Sequence, residues 1–296
     1  MFRVVEKRNL WFFISLVIIV IGLGLMVQRA FNRDAILNYG IDFTGGSSMI
    51  LKASNPNHRL TADDVQSFQT ILDSFGLVHH MVQLTQDQEL LVKTSQIDNV
   101  RRDTIIQSAS QMIGALDLLE ADMIGPSIGA ELRQKSLWII LSVSLVLLLY
   151  ISWRFELMFG LSALAALLHD GLITLSIASI LFIEVDSAFV AALLTILGYS
   201  INDTIVIFDR LRENIKLETD NTIQAVANRS ISQTMVRSIN TSLTTLVVIG
   251  ALYLFGGVTI KSFCLVLLIG VLSGTYSSIF IASPLLASLW KPIESD

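Results

Sequence analysis

The sequence predicts an α-helical polytopic membrane protein of six transmembrane helices carrying one extracytoplasmic α+β ferredoxin-like domain, and three observations predict it. Of 296 residues, 53% are hydrophobic and only 15% are charged, where soluble chains carry roughly 25% charge. Mean hydropathy is +0.66. Six apolar stretches come near the ~20 residues that a bilayer-crossing helix requires. Between the first two, residues 29–135 hold 13 acidic and 9 basic residues, the balance of a domain that lives in water.

Composition also excludes whole classes of function. A net charge of −5 offers no basic face for nucleic acid. The lone cysteine, Cys264, lies in an apolar run, so neither an internal disulfide nor a thiolate metal centre is expected. No P-loop, kinase glycine loop, HExxH or G-x-S-x-G is present, and nucleotide hydrolysis, zinc proteolysis and serine hydrolysis therefore lack their parts. No catalytic residue and no cofactor is expected, and any work must draw on another source. A membrane potential supplies about 2.3 kcal/mol per charge per 100 mV.

The elements follow in chain order. Residues 1–9 carry Arg3, Lys7 and Arg8 and lead into a first span at 10–28. Its apolar core is longer than the roughly 7–15 residues of a cleaved signal and no small-x-small site follows, so it reads as an anchor. In the 29–135 domain, 40–52 is a strand broken by Gly45-Gly46, a bulge or close backbone approach rather than a phosphate cradle. Thr61 opens a helix with Asp63 and Asp64 in its first turn. The β-rich runs 78–85 and 89–94 make a hairpin. Asp98 caps a second helix reaching about Ala115, and 118–124 is a last strand before Gly125-Pro126. The order β-α-β-β-α-β is that of a ferredoxin-like split βαβ unit. His79 and His80 are neighbours on a strand, so they point to opposite faces and cannot chelate one ion together.

Five spans follow at 137–153, 157–182, 188–208, 236–255 and 262–289, within a transmembrane stretch 136–290 that contains a cytosolic loop at 209–235, polar and helix-permissive from 211 on. A tail, 291–296, ends the chain. Arg212, Glu213, Lys216 and Glu218 alternate in sign, as on a solvated face. Gly270 and Gly274, beside Ser273, Ser277 and Ser278, form a GxxxG pattern that suits close helix packing. Orientation comes from basic residues in short loops. Arg3, Lys7, Arg8, Arg154, Arg210, Arg212, Lys216, Arg229, Arg237 and Lys291 fall on one side and only Lys261 on the other. Both termini are therefore expected in the cytosol and the domain outside.

Ionisable groups inside spans are rare enough to point to function. Asp203 lies in GYSINDTIVIFDR, five residues inside the cytosolic end of the fourth span, or about 7.5 Å deep. Tyr199, Ser200, Asp203 and Arg210 share its face, with Asn202 in the same motif. The wholly apolar part of the fifth span, 243–255, covers only roughly 20 Å of a 30 Å core. That draws Arg237 inside the cytosolic edge, with Asn240, Thr241 and Thr244 forming a second polar stripe. The two helices are antiparallel, so Asp203 and Arg237 stand at similar depth, within reach of pairing. Such a pair handles protons or ions, or else simply holds helices together. Asp170, beside His169, sits near the middle of the third span, for direct coupling or for packing, with no partner identifiable from sequence.

The motifs GIDFTGG at 40–46, IGPSIG at 124–129, LLHD at 167–170, GYSINDTIVIFDRLRE at 198–213 and RSINTSLTT at 237–245 together resemble the SecD/SecF family of bacterial protein-export subunits, within the resistance-nodulation-division superfamily. The likeness covers nearly the whole chain. It implies pairing with SecD into a twelve-span complex beside the SecYEG channel in the plasma membrane. There, proton-motive force helps move a translocating preprotein outward. By motif position, Asp203 and Arg237 match residues that the family uses for proton transport. A half-size proton-coupled exporter of small solutes or lipids would share the fold, and a purely structural assembly factor would tolerate loss of the Asp203 charge.

Overall fold

The computed structural model describes residues 3–33, 35–77, 80–85, 87–217 and 222–290. His79, Glu218 and the tail 291–296 lie outside the described residues, and the expectations placed on them lie there too. The chain divides into two compact units, Tyr39–Leu137 and Met1–Asn38 with Trp138–Asp296.

In the smaller unit the elements are β1 (Gly46–Ala53), α1 (Ala62–Ser74), β2 (His80–Leu84), β3 (Glu89–Thr94), α2 (Asn99–Ile113) and β4 (Leu116–Ile124). The sheet is antiparallel in the order β2-β3-β1-β4, the ferredoxin-like arrangement that the element order implies. Both helices are capped as their first residues dictate. Thr61 and Asp64 close a capping box on α1, and the Asp98 carboxylate accepts the Arg101 N–H at 2.8 Å on α2. Alternate residues of the central strands, Met49 and Leu51 on β1 and Leu90 and Val92 on β3, are buried with Phe68 of α1 and Ile105 of α2. A register shift between Ile50 and Leu51 marks a bulge against β4.

The run 40–52 is not one broken strand. Residues Ile41–Thr44 wind into a single helical turn and β1 starts at Gly46. Gly45 has φ 74°, and a Cβ there would lie 2.7 Å from Pro126 Cα. A Cβ on Gly129 would lie 2.9 Å from the Gly45 nitrogen. The glycines of GIDFTGG and IGPSIG thus let two backbone segments touch, the close-approach use of glycine.

The larger unit is helical. Among the described residues six helices are long and apolar enough to cross a membrane: Arg8–Phe31, Pro126–Arg154, Leu157–Leu181, Ser187–Lys216, Ile223–Phe255 and Thr259–Leu289. Apolar windows of the third, fourth and sixth are 50%, 44% and 61% buried, against 6% for the second and 17% for the fifth, so the former three form the centre. The first span packs on the third, where a Cβ on Gly22 would meet Ser176 Cβ at 2.3 Å. The sixth span widens into a π-turn at Ser278–Ala282.

Two features depart from expectation. Stretch 211–235 is not a solvated loop throughout, because the fourth helix runs on to Lys216 and the fifth begins at Ile223. Leu211, Asn214, Val226, Ala227 and Ile231 are buried between these extensions, and Asn214 Nδ2 donates to Ser230 Oγ at 2.8 Å. The segment before the first span is also packed. Val4 and Val5 are buried with Ile207 and Leu211, and Asn228 Oδ1 accepts both of their N–H groups at 2.9 and 3.1 Å. A buried asparagine thereby satisfies backbone donors that would otherwise have no partner.

Candidate functional site

The helix contacts set the site. A Cβ on Gly270 would fall 2.0 Å from Ile196 Cδ1 and one on Gly274 2.9 Å from Ser200 Cβ, so the sixth span lies directly against the fourth. This is the GxxxG packing expected, and it aims the adjoining serines inward. Ser273 and Ser277, one turn apart, face the third span at Asp170.

Asp170 is fully buried. Its Oδ2 accepts Ser200 Oγ at 2.6 Å and Ser277 Oγ at 2.7 Å. Its Oδ1 accepts Ser273 Oγ at 2.7 Å, with His169 Nδ1 at 3.1 Å. His169 Nε2 in turn meets Ser15 Oγ of the first span at 2.8 Å, while Tyr276 stacks on the imidazole at 5.9 Å and donates to the Trp11 carbonyl. Four spans are tied together here. None of these partners was identifiable before the helices were placed, although serines four apart beside GxxxG were a signal.

Asp203 sits one turn further along the fourth span from Ser200 and has far fewer donors around it. It is 8% exposed. Oδ1 accepts Ser238 Oγ of the fifth span at 2.6 Å, and Oδ2 is buried with no hydrogen-bond partner among the described residues. A buried carboxylate oxygen left unpaired costs about 1–3 kcal/mol or more.

The ion pair between Asp203 and Arg237 is not made within the described residues. One residue along a helix turns the side chain by 100°, and it is Ser238, with Thr234 and Ser242, that the fifth span buries. Arg237, Asn240, Thr241 and Thr244 are exposed on the flank beside that face, from which the Arg237 charge still acts on Asp203. Asn202 is exposed as well, whereas Tyr199 reaches Ser242 Oγ at 3.4 Å. Arg210 leaves the Asp203 face for Gln233, at 2.6 Å, and Glu213. Of the anticipated residues, then, the fold brings together Asp170, His169 and Ser200. It sets Asp203 beside Ser238 and turns the Arg237 stripe outward.

Comparison with known proteins agrees with this architecture. A family model for the C-terminal part of protein-export membrane proteins SecD/SecF matches residues 105–291, and one for the SecD/SecF GG motif matches 37–56. Protein translocase subunit SecF of Sebaldella termitidis is 38% identical over 96% of this chain and 90% of its own length. The subunit of that name from Haemophilus influenzae is 37% identical, over 94% of this chain and 82% of its own length. Among solved structures, SecDF from Thermus superposes with a TM-score of 0.84 at 34% identity, and SecDF in its super-membrane-facing form with 0.70 at 33%. Each match covers 97% of this chain, which spans 38% of those longer chains. With a family model across most of its length and relatives matched nearly end to end, the chain belongs to the SecD/SecF family of protein-export membrane proteins.

Proposed function

We propose that this chain is a subunit of the Sec protein-export machinery that, together with SecD, uses proton-motive force to promote preprotein translocation across the bacterial plasma membrane. Asp203 carries this reading. It is a carboxylate at membrane depth, one of whose oxygens has no hydrogen-bond partner among the described residues. A stripe of Arg237, Asn240, Thr241 and Thr244 lies exposed on the neighbouring helix. A polar stripe of that kind faces protein or water rather than lipid, and the SecDF chains that this one matches are more than twice as long. SecD covers the stripe and completes a twelve-span bundle.

Asp203 takes up and releases the transported proton, and Arg237 is its counter-charge. The charge change at Asp203 shifts the fifth span relative to the fourth between two packings, the kind of helix movement on which switches are built. Both termini lie in the cytosol, following the ten-to-one basic asymmetry, and the ferredoxin-like domain lies outside, where the preprotein emerges from SecYEG. The subunit does its work without catalytic chemistry of its own.

The test is preprotein release from vesicles holding this chain with SecD and SecYEG, with and without an imposed proton gradient. Asp203→Asn keeps shape but cannot titrate, so gradient-stimulated release is expected to vanish from an intact complex. Undiminished stimulation in that variant would overturn the proposal and favour a purely architectural role.

A further inference from the structure

A second carboxylate in the bundle has a shell of a different kind. Asp170 accepts from three serine hydroxyls and lies 3.1 Å from His169 Nδ1, so its two oxygens have the full donor set that a carboxylate can use. Among the described residues no lysine or arginine bonds to it. The titratable neighbours facing the pair are Tyr276 of the sixth span, stacked on the imidazole, and Asp203 of the fourth, about 4.5 Å along the helix from Ser200. The first span presents Ser15. The side chain able to balance the Asp170 charge is therefore histidine, the residue whose charge changes most readily near neutral pH.

The pair also has an approach. His169, Ser15, Ser273 and Tyr276 line a cavity of about 270 Å³ among the first, third and sixth spans, otherwise walled by apolar side chains. His169 Nε2 and Ser15 Oγ bond to each other at 2.8 Å at its edge, so a proton arriving from the cavity must part them.

We propose that His169 and Asp170 form a second proton-holding site of this subunit, loaded from the cavity side and separate from the Asp203 site. The inference rests on the proton-coupled function proposed above. A hydronium in the cavity gives its proton to His169 Nε2 as Ser15 swings aside. The Nδ1–H bond then breaks as an O–H bond forms on Asp170 Oδ1. The imidazole returns to neutrality with its proton on Nε2, and the carboxylate becomes a neutral acid that donates back to Nδ1. Three serine hydroxyls, free to rotate, accommodate either form. Ser200 touches Asp170 while belonging to the helix that carries Asp203, so the state of one site bears on the packing of the other.

The deciding experiment is infrared difference spectroscopy between acid and alkaline pH on this chain assembled with SecD, with proton flux measured on the same vesicles. Two protonated-carboxyl bands are expected, one absent in Asp203→Asn and the other absent in Asp170→Asn and displaced in His169→Gln. Flux should fall at least tenfold in Asp170→Asn and recover in part in Asp170→Glu. A single band, lost only in Asp203→Asn, would overturn the second site and leave the Asp203 proposal standing; a band lost only in Asp170→Asn would do the reverse. Should Asp170→Asn fail to assemble, His169→Gln decides. This amide keeps hydrogen-bonding capacity and cannot titrate, so wild-type flux there removes the histidine from any proton route.

Discussion

Asp170 and Asp203 lie about one helical turn apart along the same bundle, and their surroundings are opposite. Asp170 is sealed, with four partners from the third, fourth and sixth spans and a histidine that reaches the first. Among the described residues Asp203 has a single serine, an oxygen without a hydrogen-bond partner and an arginine on the neighbouring helix that reaches it only through its field. Depth in the membrane alone therefore says little about a carboxylate. The number of donors around it separates a group finished within one chain from one that a partner completes.

That contrast has measurable consequences. The largest is for stability. Asp170→Ala removes the shared acceptor of three hydroxyls and strands His169, and each buried donor left without a partner costs about 1–3 kcal/mol. Asp203→Ala, which also removes an unsatisfied oxygen, is expected to cost less than about 1 kcal/mol. Unfolding of the two variants in micelles compares them, and equal losses would erase the distinction. Next in size is Gly270→Leu, which forces carbon into the space held by Ile196 and costs about 1–3 kcal/mol by overpacking. The same assay is expected to show Asp170 losing its serines as the sixth span is pushed off the fourth.

Ser238→Ala takes away the one side-chain donor to Asp203 among the described residues, and interhelical hydrogen bonds of this type are worth about 0.6–1.7 kcal/mol. Smallest in the isolated chain is Thr244→Ala, on an exposed face, where a change within about 0.5 kcal/mol is expected. Its effect should appear instead as weaker retention of SecD on co-purification. Arg237→Ala should behave likewise and impair export more than Arg237→Lys, which keeps the charge and loses the planar fork. If Thr244→Ala and Arg237→Ala left SecD binding untouched, the outward stripe would need another occupant.

Much of this organisation was legible in the residues themselves. Six spans stand out because apolar runs of that length have few other uses, and the β-α-β-β-α-β order follows from the β-rich runs at 78–85 and 89–94 and capping at Thr61 and Asp98. The rotation of the fifth span was not legible. Arg237 and Ser238 are adjacent, both suit a helix bearing polar groups, and only packing decides which of the two meets Asp203. The docking of Val4 and Val5 on Asn228 was hidden for a similar reason, since it joins residues more than two hundred positions apart. The helical character of 211–216 and 223–235 was legible in their permissive composition, whereas the burial of Leu211, Ala227 and Ile231 was not, because polar residues around them suggest a solvated face.

The function proposed for this chain turns on whether Asp203 exchanges protons during transport. Proton flux under an imposed gradient, in vesicles containing this chain assembled with SecD, compares wild type with Asp203→Glu and Asp203→Asn. A titrating Asp203 predicts measurable flux with glutamate, reduced by the extra methylene, and none above protein-free vesicles with asparagine. Wild-type flux through an assembled Asp203→Asn complex would contradict it and leave the carboxylate as a structural partner of Ser238.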